Sequence, residues 1–150
     1  MSIALRTSWI FAALAISGMV HAEGRLVVEQ AWIRSAPPNT PMLAGYAHLS
    51  NRGDEAISVN GASSAFFMKA SLHETLDENG VSKMRPLGNL LLKPGASMDL
   101  APGGKHLMLM QPRGEVKPGQ KIPVDFILGN GPRISAEFVV SDAAPAAPAQ

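Results

Sequence analysis

His73-Glu74-Thr75-Leu76-Asp77-Glu78-Asn79-Gly80-Val81-Ser82-Lys83-Met84-Arg85-Pro86-Leu87 reads as a β-hairpin. Asn-Gly is the strongest short turn signal for such a hairpin, because a type I′ turn needs positive φ at both central positions and these residues tolerate it at least cost. A two-residue loop fixes the register, with Glu78 opposite Val81 and Thr75 opposite Met84. His73 then shares a face with Met84 as a diagonal neighbour, about 7–8 Å away and within reach of long side chains. A three-residue loop would shift the register by one and send the two side chains to opposite faces.

Outward from this hairpin the same pattern recurs. Short segments of apolar alternation cover residues 26–33, 44–49, 56–59, 66–76, 81–87, 97–100, 105–111, 122–128 and 133–140. Turn-forming clusters separate them: Pro37-Pro38-Asn39-Thr40-Pro41, Asn51-Arg52-Gly53-Asp54, Asn60-Gly61, Lys93-Pro94-Gly95, Pro102-Gly103-Gly104, Lys117-Pro118-Gly119 and Gly129-Asn130-Gly131-Pro132. No long segment carries helical periodicity and no internal repeat is evident. About eight or nine short strands with regular turn signals predict an all-β fold, an antiparallel Greek-key sandwich or barrel.

The chain has 150 residues, enough for one domain with its own core. At the N-terminus Arg6, the apolar run 10–16 and Val20-His21-Ala22 have the order of a cleavable signal peptide over residues 1–22. The apolar run is short for a membrane span, so no stable membrane insertion is expected after cleavage near Glu23; an uncleaved anchor is the alternative. Residues 23–141 form the predicted domain. The remaining segment, 142–150, is Ala and Pro with no large apolar side chain, which predicts a disordered tail.

Charge and composition exclude several functions. With 13 Lys and Arg against 12 Asp and Glu, well mixed, there is no basic field to hold a nucleic acid. With no cysteine there is no disulfide, zinc–thiolate or iron–sulfur site, cysteine nucleophile or blue-copper centre. No Ser-His-Asp arrangement, phosphate loop or acidic pair suggests hydrolysis, and no His cluster suggests a copper enzyme. A protein that is not an enzyme is expected.

The remaining chemistry lies in His and Met. Along Lys105-His106-Leu107-Met108-Leu109-Met110, alternate side chains share a face, so Leu107 and Leu109 point one way and His106, Met108 and Met110 the other. The competing reading is a strand buried on both faces, with Met as filler; for His73 it is a surface polar residue beside Glu74. Taken together the residues read His73-x10-Met84-x21-His106-x-Met108. Thioethers favour Cu(I) and discriminate against hard cations, and imidazole suits copper as well as zinc. Zinc sites use Cys, His or carboxylate rather than thioether. A thioether also has no proton to lose and forms no disulfide, which suits a copper carrier in an oxidising compartment.

This spacing, inside LHETLDENGVSKMRPLG and GGKHLMLM and preceded by AWIRSAPPNTPMLAGYAHLSN, resembles the PCuAC family of periplasmic copper(I) chaperones over residues 31–140. The resemblance implies a cupredoxin-like β-fold and one Cu(I) held by His73, Met84, His106 and Met108. It also implies a periplasmic carrier that supplies the dinuclear copper centre of cytochrome c oxidase, with oxidase subunit II or a Sco-type thiol protein as receiver; a monomer is expected. Relatives with extra His and Met in a C-terminal extension bind a second copper there; this tail has neither. The alternatives are a periplasmic copper-sequestering or homeostasis protein, and a structural β-sandwich whose Met and His are incidental.

Other residues are assigned by position. Met110 shares the predicted face of His106, as packing beneath the site or as a spare thioether. Met68 has the parity of the core, and His48 that of a strand surface. Met42 and Met98 lie in or near turns and take no role. Lys83 and Arg85 flank Met84, as solvated strand charges or as contacts for an acidic partner.

Overall fold

The computed structural model describes residues 23–129 and 131–146; residues 1–22, read above as a signal peptide, and residues 147–150 of the expected disordered tail lie outside the described residues. Ten strands follow one another: β1 Leu26–Arg34, β2 Met42–Asn51, β3 Ile57–Ser63, β4 Phe67–Glu78, β5 Val81–Pro86, β6 Leu90–Leu92, β7 Ser97–Leu100, β8 Lys105–Pro112, β9 Lys121–Leu128 and β10 Arg133–Ser141. The all-β expectation holds, with one strand more than the turn pattern suggested. The extra strand, β6, has only three residues and no alternation to read.

Seven strands close into a barrel in the order β4-β8-β2-β1-β10-β9-β3, and Ala62 paired with Ala70 joins β3 back to β4. Pairing is antiparallel except between β1 and β10, which run parallel from Trp32↔Val139 to Arg34↔Ser141. β5 extends the edge beside β4, β6 lies on β3, and β7 pairs with the end of β2. Leu107 and Leu109 of β8, Val124 and Phe126 of β9, and Phe138 of β10 fill the interior with no measurable exposure.

Two irregularities adjust which residues face in. In β1 the register shifts between Glu29 and Trp32, where Gln30 has a φ of 51°. Val28 packs on the core before this bulge and Ala31 and Ile33 after it, so Trp32 and Arg34 turn outward. In β3 the predicted Asn60-Gly61 turn is instead a register irregularity between Val59 and Gly61, inside the strand. It lets Ile57, Val59 and Ala62 all reach the core.

Met68 departs from its sequence assignment. It is 59% exposed, while Phe67 beside it is buried and meets Phe66 edge-on. The aromatic ring takes the interior place at the start of β4. Met98 sits on β7, partly buried against the core, rather than in a turn.

The β4–β5 hairpin projects from this barrel. Every residue of β5 is exposed. Its turn has φ of 58° at Asn79 and 77° at Gly80, the positive pair of a type I′ turn. The Asp77 carboxylate accepts the Gly80 N–H at 2.8 Å and closes the tip. Glu78↔Val81 and Thr75↔Met84 are paired as the two-residue loop requires.

Candidate metal centre

β4 lies between β5 and β8, and its registers with both place the candidate residues. His73 is directly opposite His106, Ser71 is opposite Met108, and Thr75 is opposite Met84. Opposed residues share a face. All four sequence-derived candidates therefore fall on the outward face of β5-β4-β8, with His73 at the centre, Met84 and Met108 on its two diagonals, and His106 beside it. The reverse parity of β8 puts Leu107 and Leu109 in the barrel core. The imidazole centres are 6.2 Å apart with 35° between the ring planes. A metal–imidazole bond is about 2 Å long, so one ion between the rings can reach a nitrogen of each.

Hydrogen bonding sets which nitrogens are available. His106 is 7% exposed, and its Nδ1 lies 3.0 Å from the Gly104 carbonyl oxygen. A carbonyl only accepts, so Nδ1 carries the proton and Nε2 presents its lone pair. The same oxygen accepts the Thr75 N–H at 3.1 Å, which ties the imidazole to the β4 backbone. His73 Nε2 is 3.1 Å from Ser71 Oγ, whereas its Nδ1 is buried with no hydrogen-bond partner among the described residues. A buried, unpaired ring nitrogen on a face that also carries two methionines suits a metal ion better than it suits an apolar surface. Burial, with the nearby His106 and Lys69 charges adding to it, lowers the His73 pKa from its ordinary 6.5.

Among the described residues no three His, Asp or Glu side chains gather to hold a metal. The four candidates offer two imidazoles and two thioethers, and thioethers favour a soft ion. Met84 is 60% exposed, so the site is open on its β5 side and closed around His106.

Residues 26–140 match the family described as "Putative lipoprotein LpqE-like". The chain belongs to the LpqE-like family. That family is of PCuAC type, as the sequence resemblance implied. Among curated relatives, "Putative lipoprotein Lxx21020" of Leifsonia xyli subsp. xyli is 32% identical over 116 residues, 77% of this chain and 69% of its own length. The solved "Copper-bound PCuAC domain from PmoF2" superposes with a TM-score of 0.65 at 20% identity, covering 83% of this chain and 97% of that one. "Solution structure of CuI-DR1885 from Deinococcus Radiodurans" gives a TM-score of 0.60 at 23% identity, covering 85% of each. These likenesses establish a shared fold.

Beneath the face described above, this LpqE-like chain carries a residue to which the sequence reading gave no role. Glu74 points to the reverse side of β4 and joins both neighbouring strands: its carboxylate accepts from Arg85 of β5 at 3.0 Å and sits 3.1 Å from Lys105 Nζ of β8. Hydrogen bonds from Arg85 and Lys105 lower its pKa. Arg85 follows Met84 and Lys105 precedes His106, so the clamp ties together the strands that carry the four candidates. The signal was available in part, since the register that sets Met84 opposite Thr75 also sets Arg85 opposite Glu74.

The other singled-out residues lie elsewhere. His48 Nδ1 is 2.6 Å from Asp99 on β7, a strand-surface pair. Met110 is paired with Lys69 on one side and Met42 on the other. Lys83 bonds Glu78 across the hairpin at 2.6 Å. Trp32 and Tyr46 pack with centroids 4.8 Å apart and ring planes tilted by 41°, and the Arg34 guanidinium lies over both rings.

Proposed function

We propose that this protein is a copper(I) chaperone that binds one Cu(I) through His73, Met84, His106 and Met108 and passes it to a partner. The observation that carries this reading is that strand register brings four soft to borderline donors to one face, where His73 Nδ1 is buried with no hydrogen-bond partner among the described residues. Copper-bound relatives of the same fold support it.

The protein's part is to bind and to yield. Two neutral thioethers stabilise Cu(I) over Cu(II). The Gly104 carbonyl fixes the His106 tautomer, and outer hydrogen bonds of this kind orient a ligand and raise its basicity. Transfer is a ligand exchange without change of oxidation state. An incoming donor reaches the ion on the exposed Met84 side, Met84 leaves first, and the enclosed His106 leaves last. The receiver is a thiol- or imidazole-bearing protein of the Sco type or subunit II of cytochrome c oxidase, and no catalysis is assigned to the carrier.

Export through a leader over residues 1–22 to the periplasm completes the reading. The family description and a relative's name read "putative lipoprotein". These 150 residues contain no cysteine thiol to carry a lipid chain.

The test is anaerobic Cu(I) titration against a chelator, with each of the four residues replaced in turn and X-ray absorption of the loaded protein. One tight equivalent with mixed nitrogen and sulfur neighbours is expected, and Met84→Leu and Met108→Leu should fold normally but bind more weakly. A spectrum without sulfur neighbours, or a Met84→Leu protein that binds as the parent does, overturns the assignment.

A further inference from the structure

Five large apolar side chains stand well exposed among the described residues, and three of them are methionines: Met42, Met68 and Met84. Met84 belongs to the centre above. Met42 does not, yet it is tied to that centre through the sheet. It opens β2 directly opposite Met110 of β8, and Ala44 lies opposite Met108. Met110 is two residues beyond Met108 and shares its outward face, so the pair lies one step, about 6.6 Å, along the strand from a proposed copper ligand.

Directly opposed residues on an antiparallel pair hold their Cβ atoms about 4.5–5.5 Å apart. Two methionines at that spacing, each with three rotatable bonds, can bring both sulfurs to one point. Simple packing explains why Met110 is partly covered. It does not explain why the residue across from it is 48% exposed and is again Met, when β-branched and aromatic side chains suit a strand better.

We propose that Met42 and Met110 form a second, weaker soft-ion site that takes a further Cu(I) beside the four-residue centre. Both donors are neutral thioethers that need lose no proton, and neither attracts a hard cation. Lys69 lies opposite Met110 on β4 and is exposed. Its charge weakens cation binding, while its long arm can extend into water. Two donors beside a lysine hold Cu(I) less tightly than two imidazoles and two thioethers, so the second site fills after the first. The inference rests on the copper reading above.

The experiment is carbon-13 NMR of the methionine methyl groups of the full mature chain during anaerobic addition of Cu(I) to two equivalents. The first equivalent is expected to shift the Met84 and Met108 methyls, and the second those of Met42 and Met110. Met42→Leu and Met110→Leu should each abolish the second phase and leave the first unchanged. If Met84 and Met108 respond but Met42 and Met110 stay fixed at two equivalents, the second site is overturned and the chaperone reading stands. If Met84 and Met108 stay fixed while Met42 and Met110 shift, the thioether pair stands and the four-residue centre falls. If none moves, both fall.

Discussion

His73 and His106 stand directly opposite each other across β4 and β8, their ring centres 6.2 Å apart, one with a bonded Nδ1 and the other with a buried, unpartnered one. Replacing either ring by Ala should cost at least about 100-fold in Cu(I) affinity, because loss of an outer hydrogen-bond partner alone costs about 10–100-fold. Circular dichroism should show the barrel intact, since both rings are on its outward face. A His106→Ala protein with parental affinity would remove imidazole from the ligand set.

Acid should weaken Cu(I) binding, because protons compete with the metal for imidazole nitrogens. The folded-state pKa of His73 is lowered from 6.5, mainly by burial. Protons therefore compete at His73 only below the ordinary histidine range, and Cu(I) affinity should be flat above it and fall in more acid solution. For the metal-free protein the sign is the same. The unfolded chain takes up its proton at about pH 6.5 and the folded chain only below that, so apo stability declines as pH falls through this window. Chelator competition and thermal melts across pH measure the two effects. Affinity constant down to pH about 4.5 would contradict ligation by imidazole.

Glu74→Gln should loosen the centre without touching it. The carboxylate joins β5 and β8 through Arg85 and Lys105, and those two bonds lower its pKa. Its contribution is therefore present above the unfolded carboxylate value and is lost as pH falls through the lowered folded one. The variant should melt below the parent at pH 7, with the difference closing in acid, and its copper affinity should fall less than that of any ligand variant. The nitrogen and sulfur neighbours in X-ray absorption should be unchanged; a changed set would mean that Glu74 is itself a ligand.

Inserting one glycine between Asn79 and Gly80 should turn Met84 to the reverse face, because a one-residue slip exchanges the two sides of a strand. Copper affinity should then match that of Met84→Leu. A second inserted glycine restores parity and should recover part of the loss. Equal affinity in the parent and the single insertion would show that Met84 takes no part.

Removing residues 143–150 should leave the melting temperature and copper stoichiometry unchanged. Asp142, which accepts a hydrogen bond from Ser35, stays in place. Ala143 to Ala146 have no regular structure, and exposed termini with small side chains tolerate truncation. A clear fall in either quantity would mean that the segment packs on the domain.

The sequence revealed what local chemistry controls. Asn79-Gly80 specified a turn type, the turn specified a register, and the register set Met84 diagonal to His73. Alternation did the same within β8, separating Leu107 and Leu109 from His106 and Met108. The pairing of β4 with β8, which puts His106 opposite His73, joins segments far apart in the chain and leaves no local mark. The parallel β1–β10 contact that closes the barrel was hidden for the same reason. Met68 misled because strand parity assumes a uniform pleat, and at the barrel rim Phe67 takes the interior place. Asn60-Gly61 misled because the pair that favours a turn also accommodates a bulge.

The bulge at Gln30 has a consequence for how relatives are aligned. It adds one residue to β1, so that Leu26 and Val28 before it and Ala31 and Ile33 after it all face inward. A chain shortened by one residue here would have to expose either Leu26 or Ile33, or give up pairing with β2. A gap placed between Glu29 and Trp32 in any alignment therefore inverts the meaning of every downstream position in the strand, and Trp32 would be matched to a core residue. Lengths are free to vary at the loops, but β1 behaves as a counted segment whose residue number is itself a structural property.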